Sequence, residues 1–125
     1  MKNSKEWFRQ AEYDLKTVDV MFHGRRYIYA IFMCHLALEK ALKGLYVIRF
    51  KELAPKTHNL IYLAEKINLT IPAPMYNSLF TLNRVSVPTR YPEDLQKMVK
   101  SYSKAKTMRV LKESEKILQW LKKQL

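Results

Sequence analysis

"YIYAIFMCHLALEKALKGLYVIRF", residues 27–50, is the stretch on which the reading of the fold turns. Tyr27, Ile31, Cys34, Leu38, Leu42 and Leu45 recur at helical spacing and line one side of a helix running from about residue 26 to about residue 50. Ile28, Phe32 and Tyr46 fall on another side of the same helix. A helix that is apolar on more than one side is buried on more than one side. In a bundle this small, the second face is expected to meet another subunit, as a homodimer with this helix near its centre. Its most apolar part, residues 27–38, is too short to cross a bilayer and contains His35.

Working outward, Phe8, Ala11, Leu15, Val18 and Phe22 make one face of an earlier helix over about residues 4–22, stopped by Gly24. On the other side, Pro55 closes the central helix. Thr57 reads as the N-cap of a third, "HNLIYLAEKI" (58–67), with Leu60, Leu63, Ala64 and Ile67 inward. "TIPAPMY" (70–76) is a connector, and a fourth helix carries Met75, Leu79 and Leu82. "RVSVPTRYPED" (84–94) reads as a loop. Pro88 and Pro92 forbid a continuous helix there, and each biases the residue before it toward an extended conformation. The last helix starts at Ser101 or Ser103, with Met108, Leu111, Ile117 or Leu118, and Leu121 as its stripe. No repeat, low-complexity segment or strand signal interrupts this pattern. The expectation is an all-α fold: one domain over residues 1–125, an antiparallel up-and-down bundle of four main helices plus a short one.

Composition agrees. The chain has 125 residues, of which 48% are hydrophobic, enough for one real core. Two glycines, Gly24 and Gly44, are too few for a β-rich fold or a glycine-rich phosphate loop. The start, "MKNSKEWFRQAEYDLK", is charged throughout and does not read as a secretory signal. Cys34 has no partner for an internal disulfide. A cytoplasmic protein, with no membrane association, is expected.

The formal net charge is +12. Residues 1–22 balance four basic side chains (Lys2, Lys5, Arg9, Lys16) against four acidic ones (Glu6, Glu12, Asp14, Asp19). Residues 97–125 hold nine basic side chains against Glu113 and Glu115, a net of +7. One-sided positive charge favours an anionic partner such as nucleic acid, a nucleotide or an acidic protein. The plainer alternative is a solvated lysine face.

No metal site is expected: His23, His35 and His58 are widely spaced and form no paired Cys/His pattern. Cys34 and His35 are neighbours, about 100° apart on a helix, so they make no nucleophile pair. On the core stripe, Cys34 reads as an inert buried thiol. Two polar groups stand out. His35, Glu39 and Lys43 share one side of the central helix at i, i+4 and i+8, either as ordinary surface pairing or as a polar notch beside a dimer seam. Arg84, Arg90 and Tyr91 sit in the proline-bearing segment, either tying down a connector or converging on a phosphate and a base.

"HLALEKALKGLY" (35–46), "THNLIYLAEKI" (57–67) and "TRYPED" (89–94), in this order, resemble a HEPN domain protein (higher eukaryotes and prokaryotes nucleotide-binding) over essentially the whole chain. The resemblance implies an all-helical bundle that dimerises. It also implies pairing with a minimal nucleotidyltransferase, often as a toxin–antitoxin pair. No cofactor is expected. Ribonuclease members of the family resemble one another in an Arg-x4-6-His motif. Arg84 sits where that arginine could be, but six residues on this chain has Arg90, then Tyr91, and no histidine follows. A metal-independent ribonuclease needs a group that moves a proton near neutral pH, which arginine cannot do. The sequence therefore favours binding of a nucleotide or RNA by a dimeric nucleotidyltransferase partner. The alternatives are a ribonuclease toxin using Arg84, Arg90 and Tyr91, with His58 or the second subunit lending groups, and a structural subunit with no ligand.

Overall fold

The structure is a computed structural model describing residues 2–125. Six helices follow one another: α1 (Ser4–His23), α2 (Tyr27–Phe50), α3 (Leu60–Ile67), α4 (Ala73–Arg90), α5 (Leu95–Ser101) and α6 (Lys104–Lys122). The bundle is all-helical, as expected, and α2 is its axis. α1, α3, α4 and α6 all pack on it, with α5 touching it more lightly.

That wrapping explains why α2 is apolar on more than one side. Ile31, Leu38, Leu42 and Leu45 face one set of neighbours, while Ile28, Ala30, Ala37 and Ala41 are also buried. The expectation that Ile28, Phe32 and Tyr46 need a second subunit is corrected here for Ile28. Ile28 is buried by the chain itself. Phe32 lies under the Arg90 guanidinium, and Tyr46 packs on Phe50 with ring centroids 4.7 Å apart. For Ile28 and Phe32 other parts of the same chain supply contacts assigned to a partner, whereas Tyr46 meets Phe50 along its own helix.

Side chains with short polar groups start most helices, each accepting from a backbone N–H that the first turn leaves free. Asn3 caps α1 from Glu6 N, Asp94 caps α5 from Lys97 N, and Ser103 caps α6 from Lys106 N. At α3 the cap is Asn59, which accepts from Tyr62 N, and not Thr57 as its position suggested. The Thr57 hydroxyl instead accepts from Asn59 N one step earlier. Gly24 does end α1, but the left-handed residue of the turn is Arg25, at φ 60°.

α1 and α2 cross closely at Gly44, where a Cβ would come within 2.8 Å of Phe8 Cδ2. Lys40 and the buried Asp14 staple the same pair of helices at 2.8 Å. Glu12 with Lys122 joins α1 to α6, and Arg49 donates to the Ile67 carbonyl at the end of α3.

The segment read as a loop is largely helix. α4 runs through Pro88 to Arg90, and Val87 stays helical. Pro88 removes one hydrogen bond, at a cost that the inner face offsets. Leu82, Ser86 and Thr89 are buried at i, i+4 and i+7. The Thr89 hydroxyl donates to the carbonyls of Val85 and Ser86, and the Ser86 hydroxyl to that of Asn83. Pro92 lies just past the end, where the chain does turn. α5, with Leu95 and Val99 exposed and no residue buried, was not expected. No helix among the described residues is long and apolar enough to cross a membrane.

Candidate ligand site

Side chains four apart on a helix sit nearly above one another, and α2 uses that spacing to aim His35, Glu39 and Lys43 one way. They are not a surface row. Their residue exposures are 0%, 4% and 9%. Burying a carboxylate is costly unless it is paired and hydrogen-bonded. Glu39 meets that demand. Its Oε2 lies 3.1 Å from Lys43 Nζ, and its Oε1 lies 2.8 Å from His58 Nδ1 and 4.0 Å from His35 Nδ1.

His58 reaches Glu39 from outside α2, on the last turn of chain before α3. Two asparagines fix that approach. Asn83 of α4 accepts from Leu60 N at 2.8 Å and donates to Asn59 Oδ1 at 3.1 Å, while Asn59 caps the helix. With Nδ1 against a carboxylate, the proton belongs on Nδ1, and Nε2 is left as the free ring nitrogen. The His58 side chain is 62% exposed, so that nitrogen is open to a ligand.

Arg90 arrives from the end of α4. Its guanidinium stands 4.7 Å from the Phe32 ring centroid, and its buried Nε has no hydrogen-bond partner. Its charge reaches His35. Burial holds the His35 pKa below its ordinary value, and the charges of Arg90 and His58 push the same way. The Glu39 carboxylate and the His58 backbone oppose them in part. Neither His35 ring nitrogen completes a hydrogen bond within the chain. Beside Lys43, Trp7 carries two ammonium groups near its ring, Lys2 at 3.9 Å and Lys43 at 5.8 Å.

His35, Glu39, Lys43, His58 and Arg90 thus come together from α2, the start of α3 and the end of α4. Arg84 and Tyr91 do not join them. On a helix, six residues turn a side chain by about 600°, so Arg84 and Arg90 point roughly 120° apart. Arg84 opens into a cleft between α4 and α6. Tyr91, 71% exposed, borders a shallow groove with Val87, Pro88 and Lys97. The expected convergence of Arg84, Arg90 and Tyr91 on one phosphate is therefore not the geometry observed. Sequence reasoning missed Phe32 and Trp7 as members of the site's surroundings. Phe32 was assigned to a dimer face, although its position three residues before His35 places it on the same side of α2.

This arrangement offers an exposed imidazole on a buried carboxylate, an ammonium, and a guanidinium with a free buried donor. Together these fit an anionic ligand carrying phosphate. Among the described residues, no cluster of His, Cys, Asp and Glu is disposed to hold a metal ion. Cys34 is buried, and burial pushes its thiol up to about 12, against a smaller opposing effect of a hydrogen bond with Ser114. It is an inert core thiol.

The family model of the HEPN domain matches residues 4–124. Among solved structures, TT1696 from Thermus thermophilus is 23% identical and superposes with a TM-score of 0.86, with 100% of both chains covered. At that identity the likeness shows the fold. ST0689, an archaeal HEPN homologue, is 27% identical with a TM-score of 0.79, covering 99% of this chain and 98% of its own. No curated protein matches the chain.

Proposed function

This chain belongs to the HEPN domain family, and on that premise we propose that it binds a nucleotide or RNA as the homodimeric partner of a minimal nucleotidyltransferase, in a toxin–antitoxin pair. The observation that carries this reading is the junction of Glu39, His58, Lys43 and Arg90. A buried carboxylate holds an outward imidazole at 2.8 Å and pairs with Lys43, while the Arg90 guanidinium stands over Phe32 with its charge reaching His35, farther along the same helix. Structural cross-links between helices do not need an exposed ring nitrogen, whereas a ribose hydroxyl can donate to one. The net charge of +12 favours the same class of ligand.

Self-association is assigned to a different surface from the one the sequence favoured. Val87, Tyr91, Leu95 and Val99 are exposed around the end of α4 and along α5, a helix with no buried residue. Leu95 and Val99 share one face of α5 beside the turn between α1 and α2, and an exposed apolar face of this kind favours a protein contact. Light scattering on wild type and on Leu95→Glu/Val99→Glu tests it, a dimer being expected to become a monomer. The ligand is tested by calorimetric titration with mononucleotides and short RNA. The partner is tested by co-expression with the nucleotidyltransferase of a neighbouring reading frame and recovery of a stable complex.

A second reading is metal-independent RNA cleavage, and the Glu39–His58 pair favours it. The missing Arg-x4-6-His motif deprives Arg84 of its usual histidine, yet His58 has the geometry of a general base oriented by a carboxylate. In that reaction Nε2 takes the 2′-hydroxyl proton as the 2′-oxygen bonds to phosphorus. The bond to the 5′-oxygen breaks, that oxygen takes a proton from water, and Arg90 holds the phosphate. Cleavage of labelled RNA in the presence of a chelator, lost in His58→Ala and reduced in Glu39→Gln, is the expected result. Intact RNA with the wild-type chain rules cleavage out.

A further inference from the structure

The cleft between α4 and α6 carries charge of both signs, away from the Glu39 group. It holds about 540 Å³. At one end Ser78 donates to Glu113 Oε2 at 2.9 Å. Farther along α4, Arg84 comes near Tyr102, just ahead of α6, and offsets part of the rise that burial gives the phenol pKa. The two helices therefore run antiparallel here. Arg84 shares the second end with Lys106, whose Nζ lies 5.1 Å over the Tyr102 ring, and Arg109 follows one turn along α6. All three cations are exposed, and none makes an ion pair among the described residues.

The wall between the ends is aliphatic, formed by Ile31, Leu82, Val85 and Val110. It offers no platform for stacking a flat ring. Tyr102 is the one aromatic side chain that lines the cleft, it is only 8% exposed, and Lys106 lies over its face. Bases bound to proteins gain from open aromatic faces, whereas aliphatic side chains need only contact and exclusion of water. Glu113 sets a second condition, because a ligand that is anionic along its whole length meets a like charge there. A polypeptide satisfies both conditions. Its Asp and Glu carboxylates take arginine forks in pairs and a lysine as a point charge. Its next aliphatic side chain covers the wall. Its backbone N–H groups donate to Glu113, beside the polar Asn77 and Thr81. The run from Ser78 to Arg84 is about 9 Å of helix, the reach of about three residues of extended chain.

We propose that this cleft docks a short acidic segment of another protein, with its carboxylates on Arg84, Lys106 and Arg109 and an aliphatic side chain against Leu82, Val85 and Val110. The surface lies beyond the reading given above, which uses the Glu39 group and the exposed face of α5. The test is selection of a random dodecapeptide library, displayed on phage, against the full chain, followed by fluorescence anisotropy with the enriched peptides made synthetically. Enriched peptides are expected to carry at least two acidic residues next to a Leu, Ile or Val. Arg84→Gln with Arg109→Gln should weaken their binding at least tenfold while the melting temperature is kept. If the double change impairs folding, Lys106→Gln alone, at an exposed position, should weaken it several-fold. Amidation of the peptide's acids, or serine in place of its aliphatic residue, should each cost at least fivefold. Arg90→Ala should leave the affinity as it is. The proposal is overturned if no acidic peptide is enriched, if the cleft substitutions leave affinity unchanged, or if the serine peptide binds as well as its parent. It is overturned equally if Arg90→Ala removes binding, which would seat the peptide at the Glu39 group. A hydroxyl-ended RNA decamer that displaces the peptides at equal affinity would assign the cations to an RNA backbone and overturn it as well.

Discussion

His58 Nδ1 lies 2.8 Å from Glu39 Oε1, joining an exposed ring to a carboxylate with a side chain only 5% exposed. The contact links the start of α3 to the middle of α2, and the same carboxylate neutralises Lys43. Glu39→Gln keeps the shape and removes the charge. Lys43 is then left partly buried without its anion, and His58 loses the acceptor that selects its tautomer. The expected loss of stability is about 1–3 kcal/mol, the range for a buried polar group deprived of its partner. Nitrogen chemical shifts of His58 should move from one dominant tautomer toward a mixture. An unchanged tautomer would mean that Glu39 does not orient the ring.

His35 makes stability depend on pH. Burial holds its folded pKa below the ordinary 6.5, against a smaller opposing pull from Glu39. Above that value the ring is neutral in both folded and unfolded chains and contributes no slope. As pH falls below it, the unfolded chain takes up a proton that the folded chain refuses, so stability falls with pH down to the folded pKa. Denaturant midpoints between pH 7.5 and 5 should therefore drop in wild type, and His35→Gln should flatten this dependence. A His35→Gln chain with the wild-type slope would place the titrating group elsewhere.

Gly44 lets α1 meet α2 at close range. A methyl group there would lie 2.8 and 2.9 Å from ring carbons of the buried Phe8 and 3.1 Å from Trp7 Cβ. Alanine is the better helix former by up to about 1 kcal/mol, so propensity alone predicts a gain from Gly44→Ala. Overpacking acts the other way, at about 1–3 kcal/mol, and the ring cannot swing clear of a packed core. Gly44→Ala should lower the thermal midpoint, and Gly44→Ala with Phe8→Leu should recover part of the loss. A higher midpoint for the single change would show that propensity wins.

Much of this fold is legible from periodicity, because α1, α2 and α6 are long and each buries a recurring face. Pro88 misleads, since its cost is visible in the sequence while the buried Ser86 and Thr89 that offset it are not. α5 is missed because seven residues with no buried face leave no stripe to read. In the site, His35, Glu39 and Lys43 are found by spacing on one helix. The bond from Glu39 to His58 spans nineteen residues and depends on how Asn83 seats α3, which no local pattern reports. Arg84 and Arg90 look adjacent in a loop, but on a continuous helix rotation separates them.

α6 supplies a check on the role of charge. Lys104, Lys112 and Lys116 are exposed on it, and only Lys112 has an acidic neighbour, Glu115, at 3.8 Å. If RNA lies along this helix, log affinity falls linearly with log salt. Changing all three to Gln should then reduce the slope by about 2, given roughly 0.7 per phosphate contact with single strands. Fluorescence anisotropy across a salt series reads this directly. Equal slopes would reduce these lysines to solvated surface.

Arg90 separates a binding role from a structural one, because it has both kinds of contact. Its guanidinium stacks on Phe32, an interaction of about 0.5–1 kcal/mol where partly exposed, rising to about 2 when desolvated. Its buried Nε has no partner in the chain, and its terminal nitrogens, which make no hydrogen bond within the chain, are the donors left for something else. A charge-assisted hydrogen bond to a phosphate is worth about 1.5–3 kcal/mol. Arg90→Ala should therefore weaken binding of short RNA by more than it lowers the free energy of unfolding. Arg90→Lys should keep the charge and lose most of the affinity, since an ammonium lacks the planar fork. Paired calorimetry and denaturation on both variants decide the matter. If Arg90→Ala loses stability while binding like wild type, the residue is a clamp between α4 and α2, and the Glu39 group holds the bundle together without a ligand.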